Sequence, residues 1–244
     1  MVSPSHAYES PAPYMEEGAA KLSKDKINEL PLFHYTGKIT LVRSVEEMSA
    51  AVARLAAKSN GTGPVVLGFD TETRPSFRKG KCYSPSLVQL ATETEVFLFH
   101  LKWMPLGEEL ISIFQSPDII KTGVAVHDDM RFLGRLHPFE AQSVIDLSDV
   151  ARKNNIENRG LRGLAALFLG LRISKGEQCS NWACPELTER QIRYAATDAW
   201  ASRAIYYAML EAGLDMDITA PPPLVTRTKP KTRRRPARPV VRKA

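Results

Sequence analysis

Cysteine is scarce in this chain. Three are present in 244 residues, Cys82, Cys179 and Cys184, and none forms a C-x-x-C pair. An odd number without a framework argues against a disulfide scaffold or a thiolate metal centre, and it fits a reduced, cytosol-like compartment. Long apolar runs are also missing. No stretch approaches the roughly 20 residues needed to cross a bilayer, so no membrane partner is expected. The opening residues, MVSPSHAYESPAPYMEEG, hold no apolar segment and carry acids early, so no secretory signal is expected. Acids are absent from the other end. Between Arg227 and Lys243 there are nine basic residues and no Asp or Glu. The net charge is +6, so the remainder carries 6 − 9 = −3.

What is present is enough for one mid-sized domain, with 43% apolar residues. Residues 1–27 mix Pro, Ser, Ala and charge without periodicity and read as a disordered leader. Residues 28–213 read as the folded body, and residues 214–244 as a disordered, proline-rich basic tail. That tail is either an electrostatic arm for nucleic acid or a solvated extension.

Within the body, residues 32–44 alternate as a strand. Ser44 with Glu47 forms a capping box, and Met48, Val52, Leu55 and Ala56 make the inward stripe of a helix closed by the NGTG at 60–63. PVVLGFDTE, SLVQLAT and VFLFHL follow as an antiparallel meander. GEELISIFQS is an amphipathic helix burying Leu110, Ile113 and Phe114. IIKTGVAV is a strand and DDMRFLGRL a helix. SVIDLSDVARKN turns from strand to helix, and LRGLAALFLGL is an apolar helix. The last helix begins at a second capping box, Thr188 with Gln191, and stops near Gly213. Together these predict an α/β fold: a mixed sheet of about five strands with helices on both faces.

Four acids stand out. Asp70 and Glu72 are two apart on a strand, so they share a face with Val66 and Gly68, opposite Val65, Leu67 and Phe69. Neighbouring carboxylates repel unless they share a cation or one keeps its proton. In VHDDMRFLGRL, Asp129 lies on the stripe of Phe132, Leu133 and Leu136 and so faces the protein. Asp128 lines up with Arg131 and Arg135, which turns it to solvent as a cap at the helix start. In the last helix, Asp198 shares a face with Tyr194, Ala195, Ala201 and Ile205. A buried carboxylate there needs a metal, a base or the Tyr194 hydroxyl. Four inward acids suit hard divalent cations, two Mg²⁺ or Mn²⁺ ions, and such a pair suits displacement at phosphorus. Tyr194 would then orient the attacking water.

The segments FDTE, GVAVHDD and YAATD resemble the three exonuclease motifs of the DEDD superfamily, in its tyrosine branch, DEDDy. The Tyr-x-x-x-Asp spacing selects that branch, since the histidine branch would place His where Arg193 stands. The resemblance spans about residues 32–210 and is strongest to the Werner-type exonuclease domain. It implies a ribonuclease-H-like fold and a metal-dependent 3′–5′ exonuclease. It also implies roles. Asp70 bridges both metals, Glu72 and Asp198 complete the nucleophile-side ion, Asp129 supports the second, and Tyr194 positions water. DNA is the favoured substrate. A ribonuclease D-like enzyme acting on RNA and an idle nucleic-acid-binding module are the alternatives.

The segment from Thr73 to Ser86 adds Arg74, Phe77, Arg78, Lys79 and Lys81, with Tyr83. It is either a track for backbone phosphates and a stacked base, or a solvated loop. Trp182 is expected to pack the loop before the last helix. His127 is expected to be a strand-end residue and not a ligand. Protein partners cannot be read from the residues. The location expected is the cytoplasm or nucleoid, or the nucleus if the tail is a targeting signal.

Overall fold

The computed structural model describes residues 21–57, 64–76 and 83–216. Six strands form the main sheet in the order β2-β5-β4-β3-β6-β7: β2 (Lys38–Val42), β3 (Val65–Thr73), β4 (Pro85–Ala91), β5 (Glu95–His100), β6 (Ile119–Gly123) and β7 (Val144–Asp146). Strand β4 runs antiparallel to both β3 and β5 and makes the expected meander, while every other neighbouring pair is parallel. A second small sheet joins β1 (Leu32–Phe33) to β8 (Arg172–Ile173).

Each face of the sheet has its own helical cover. Leu67 and Phe69 of β3 join one core with α2 (Val45–Ala57), α3 (Glu108–Gln115) and α4 (Val126–Leu133). Val66 of the same strand joins a different core with α5 (Leu147–Lys153), α6 (Leu161–Leu169) and α7 (Glu189–Glu211). Alternation along β3 therefore sorts its side chains between two layers. Gly68 fixes how closely α7 lies on the sheet: a Cβ there would stand 2.0 Å from the Ala199 carbonyl oxygen. Helix α7 opens with the expected capping box, in which Thr188 Oγ1 accepts from Gln191 N and the Gln191 side chain accepts from Thr188 N. No helix among the described residues is long and apolar enough to cross a membrane.

Several expectations need correction. The span 32–44 is not one strand. Its first part leaves the main sheet for β8, and between the two parts Tyr35 N donates to Thr197 Oγ1 at 3.0 Å. In α2 the buried partners of Met48, Val52 and Leu55 include Ala51, while Ala56 is exposed. Ser44 does accept from Glu47 N, but the Glu47 carboxylate reaches Arg43 N instead of closing the box on Ser44. The leader read as residues 1–27 overlaps the fold. Ser23 caps α1 (Lys24–Glu29), and Leu22 and Ile27 are buried in the core of α5, α6 and α7. At the other boundary, Leu214 and Met216 pack on that same core. Residues 1–20, 58–63, with the NGTG stretch, and 217–244 lie outside the described residues.

Candidate active site

Asp70 and Glu72 sit at the end of β3, on the face covered by α7. The close seat that Gly68 allows brings Asp198 of α7 down to them. One carboxylate oxygen from each of Asp70, Glu72 and Asp198 lies within 4.8 Å of the others. Glu72 is 8% and Asp198 6% exposed, and Asp70 beside them is half-buried.

Asp129 arrives from the other layer. Helix α4 starts at Ala125, which takes a left-handed conformation at φ 61° and gives its N–H to Asp146 Oδ1 at 3.2 Å. Asp146 also caps α5, accepting from Ser148 N and Oγ at 2.9 and 2.6 Å. One carboxylate thus sets the starts of two helices. From this start Asp129 turns toward β3, where its Oδ1 accepts from Thr71 Oγ1 at 2.6 Å. Thr71 points to the face opposite Asp70, so β3 presents acids to α7 and a hydroxyl to α4. Asp128 is exposed and pairs with Arg131 at 2.6 Å. It makes no side-chain cap, contrary to expectation. The core stripe of α4 is Val126, Met130 and Leu133, whereas Leu136 is 43% exposed. The expected stripe was therefore rotated, and Asp129 stands at its border.

Burial disfavours charge on all four acids, and their mutual repulsion adds to it. Asp70 is pushed up to about 8 by burial and then by Asp198. Glu72 is pushed up to about 10 by burial, Asp70 and the other two acids. Asp129 rises to about 8 through burial and Asp70, against the Thr71 hydrogen bond. Asp198 rises to about 7 through burial, against the hydroxyl of Tyr194 that donates to it. Tyr194 itself is held far above the usual phenol range by burial and then by Asp198. Its ring packs on the fully buried Trp182, with centroids 6.0 Å apart.

A cavity of about 380 Å³ opens beside this cluster. Asp70, Glu72, Asp198 and Tyr194 line it, and so do the cations Arg162 and Lys175. A second cavity of about 480 Å³ shares Tyr194 and Asp198 and contains His34, Arg190 and Arg193. Those two arginines are paired with Glu177 and Glu189. Sequence reasoning missed Thr71, Arg162 and Lys175. Thr71 carried a faint signal, its place between the two acids. The other two reach the cavity only through the fold.

Of the residues assigned to nucleic acid, Arg74 is described. It is exposed, with its guanidinium 4.7 Å from the centre of the Tyr83 ring. Phe77, Arg78, Lys79 and Lys81 lie outside the described residues. His127 is the second residue of α4 and not a strand end, a correction to the expected placing. Its Nε2 is 3.8 Å from Asp149, and with Asp146 the three form a separate group of ligand type. In that group Asp146 Oδ1 is engaged by its capping bonds and Asp149 by Arg152.

The donor set of the main cluster fits hard divalent cations. It is all oxygen, buried, and costly to ionise without a positive charge beside it. Residues 39–213 match the family model described as 3′-5′ exonuclease. The chain belongs to the 3′-5′ exonuclease family. It is similar to the mouse bifunctional 3′-5′ exonuclease/ATP-dependent helicase WRN, at 31% identity over 193 residues. That match covers 76% of this chain but 14% of the mouse protein. Among solved structures, the Aedes aegypti Nibbler EXO domain aligns with TM-score 0.64 and 24% identity, covering 75% of this chain and 95% of that one. Escherichia coli RNase D aligns with TM-score 0.61 and 21% identity, covering 72% and 46%. These two likenesses establish the ribonuclease-H-like exonuclease fold. As an enzyme, the chain is a 3′-5′ exonuclease, a hydrolase of nucleic acid.

Proposed function

We propose that this exonuclease removes nucleoside 5′-monophosphates from the 3′ end of DNA with two divalent cations, Mg²⁺ or Mn²⁺. The observation that carries the reading is the convergence of acids from β3, α4 and α7 beside Tyr194. Asp70, Glu72 and Asp198 would hold one ion, and Asp70 with Asp129 the other. When bound, such ions lower the pKa of a water and stabilise the departing 3′ oxygen.

The chain's own residues supply the rest. The Tyr194 hydroxyl, which donates to Asp198, would orient the water. As that water's oxygen bonds to phosphorus, the bond to the 3′ oxygen breaks; the water's proton passes to solvent, and the departing oxygen takes one up from solvent. Arg74, stacked on Tyr83 just beyond Glu72, offers a charge to the incoming backbone. Burial of the cluster strengthens each of these electrostatic effects.

DNA is preferred because the mouse relative is the more similar by sequence. The second reading, an RNA exonuclease, is supported by the fold shared with RNase D, named as an exoribonuclease in structured RNA processing. End-labelled DNA and RNA of one sequence, each with Mg²⁺, Mn²⁺ or EDTA, separate the readings on a gel. A ladder of 3′-shortened DNA with metal, none with EDTA and slower RNA loss is expected. Faster RNA loss would reverse the substrate, and no product with either would leave an idle binding module.

A further inference from the structure

We propose that Arg162 is a phosphate-binding residue of this exonuclease site and that Asn28, from the N-terminal helix α1, is its positioning residue. The inference rests on the exonuclease reading and extends it to a cation that lines the same cavity.

Arg162 is the second residue of α6 and lines the same cavity as Asp70, Glu72 and Asp198. An arginine placed to neutralise those acids would pair with them. Among the described residues it pairs with no carboxylate. Its Nη2 instead donates to the side-chain oxygen of Asn28, and its Nε is buried without an acceptor. Asn28 is neutral, so the guanidinium keeps its whole charge while one edge is fixed. With Nε buried and one Nη2 hydrogen held by Asn28, the other Nη hydrogens of the planar fork are the donors left to an outside anion. The acids that line the cavity would repel an anion by themselves. A polynucleotide end that reaches cations held by those acids needs a positive contact for its other phosphates, and Arg162 supplies it.

Helix α1 is seated firmly enough for this task. The Asn158 side chain accepts from Leu22 N at 2.7 Å and donates to Leu22 O at 3.2 Å. Arg172 Nε donates to Leu30 O at 3.3 Å, and Leu22 and Ile27 are buried. The turn that carries Arg162 and the segment that carries Asn28 are thus tied on both sides of the contact. The family match begins at residue 39, so α1 lies outside it. Asn28 brings to the catalytic cavity a contact from beyond the matched region.

The test uses the full chain with Arg162→Gln, Arg162→Lys, Asn28→Ala and the double variant Asn28→Ala/Arg162→Gln. Three quantities are measured: kcat and KM on end-labelled DNA with Mn²⁺, oligonucleotide binding by fluorescence polarisation in EDTA across a salt series, and Tm. Losing one charge-assisted contact should raise KM and Kd for Arg162→Gln about tenfold or more, with kcat little changed. The salt slope of its binding should fall by about 1. Arg162→Lys keeps the charge and should recover that slope with part of the affinity. Asn28→Ala should raise KM less than Arg162→Gln does, and it should add nothing further in the double variant. A lower Tm with wild-type KM and salt slope in Arg162→Gln would overturn the phosphate role. The same pattern in Asn28→Ala, or full additivity in the double variant, would overturn the positioning role. A wild-type protein that shortens no polynucleotide would instead sink the exonuclease reading, and the binding titration would still judge Arg162.

Discussion

Two residues sit where burial disfavours the charged form, and each makes a separable prediction. Tyr194 gives its hydroxyl to Asp198 and its ring to Trp182. Tyr194→Phe keeps the ring and removes only the hydroxyl. If the phenol orients water, the single-turnover rate should fall by about 10²–10⁴-fold. Tm should hardly move, because one hydrogen bond is worth about 1 kcal/mol net. An unchanged rate with a lower Tm would leave Tyr194 as a mere partner of Asp198. Lys121 lies on β6 with no exposure, its Nζ donating to Ser116 O at 2.9 Å. Burial pulls it from 10.5 down to about 7. Between those values the unfolded chain binds a proton that the folded protein lacks, so this residue's contribution improves as pH rises through the window. Below about 7 the folded protein carries the buried charge at full cost. Lys121→Met should therefore raise Tm at pH 7, and melts at pH 10 should show a smaller gain. Equal gains at both would mean that packing explains the change, not charge.

At the scale of elements, the site depends on how closely helices approach β3. Gly68→Ala drives a Cβ into the Ala199 carbonyl, a backbone atom that cannot swing aside. Overpacking of this kind costs about 1–3 kcal/mol, and α7 can relieve it only by lifting Asp198 from Asp70 and Glu72. Thermal melts in EDTA and metal titration by calorimetry should show lower stability together with weaker metal binding. Weaker stability alone would mean that α7 shifts without carrying Asp198 away. Helix α4 gives the companion test. Asp129→Ala should abolish turnover, and Asp128→Ala, which breaks only an exposed pair with Arg131, should spare it. The reverse outcome would show that α4 presents Asp128 to the site.

Much of this was readable along the chain, because it is local. Period-two alternation sorted Asp70 and Glu72 from Phe69, and the Thr188–Gln191 box marked the start of α7. Asp129 faces β3 although the core stripe of α4 is rotated from the expected one, since a residue at the border of a helix face belongs to either assignment. What escaped notice joins distant segments. Helix α1 looked like leader because six residues beside a proline-rich stretch carry little periodicity, and it is held by Asn158, 136 positions from Leu22. The break at 34–37 follows from Tyr35 bonding to Thr197, which no local pattern announces. Arg162 lies in a stretch that reads only as an apolar helix, LRGLAALFLGL, and the fold alone brings it to the cavity and to Asn28.

Over the whole molecule, the four acids couple fold stability, metal and pH. Their ordinary values are 3.8 for Asp and 4.5 for Glu, and in the folded protein they stand at about 7 to about 10. Folded pKa values above unfolded ones mean that the native state keeps protons the unfolded chain has lost. Metal-free stability should therefore fall as pH rises from about 4 through the folded values. Lys121 works in the opposite direction above pH 7, but it is one group against four. A divalent cation replaces those protons with fixed charge, so its affinity should grow with pH, and its stabilisation follows RT ln(1 + [L]/Kd). Melts of the full chain in EDTA should show Tm dropping from pH 6 to pH 9. Melts in Mg²⁺ or Mn²⁺ should show a gain that widens over the same range. Asp70→Asn removes one repelling charge and one of the proposed metal ligands at once. It should raise Tm in EDTA, most at pH 9, and cancel most of the gain from metal. A Tm in EDTA that stays level from pH 6 to pH 9 in the wild type would mean that the carboxylates ionise freely, and the buried-cluster account of this site would fail.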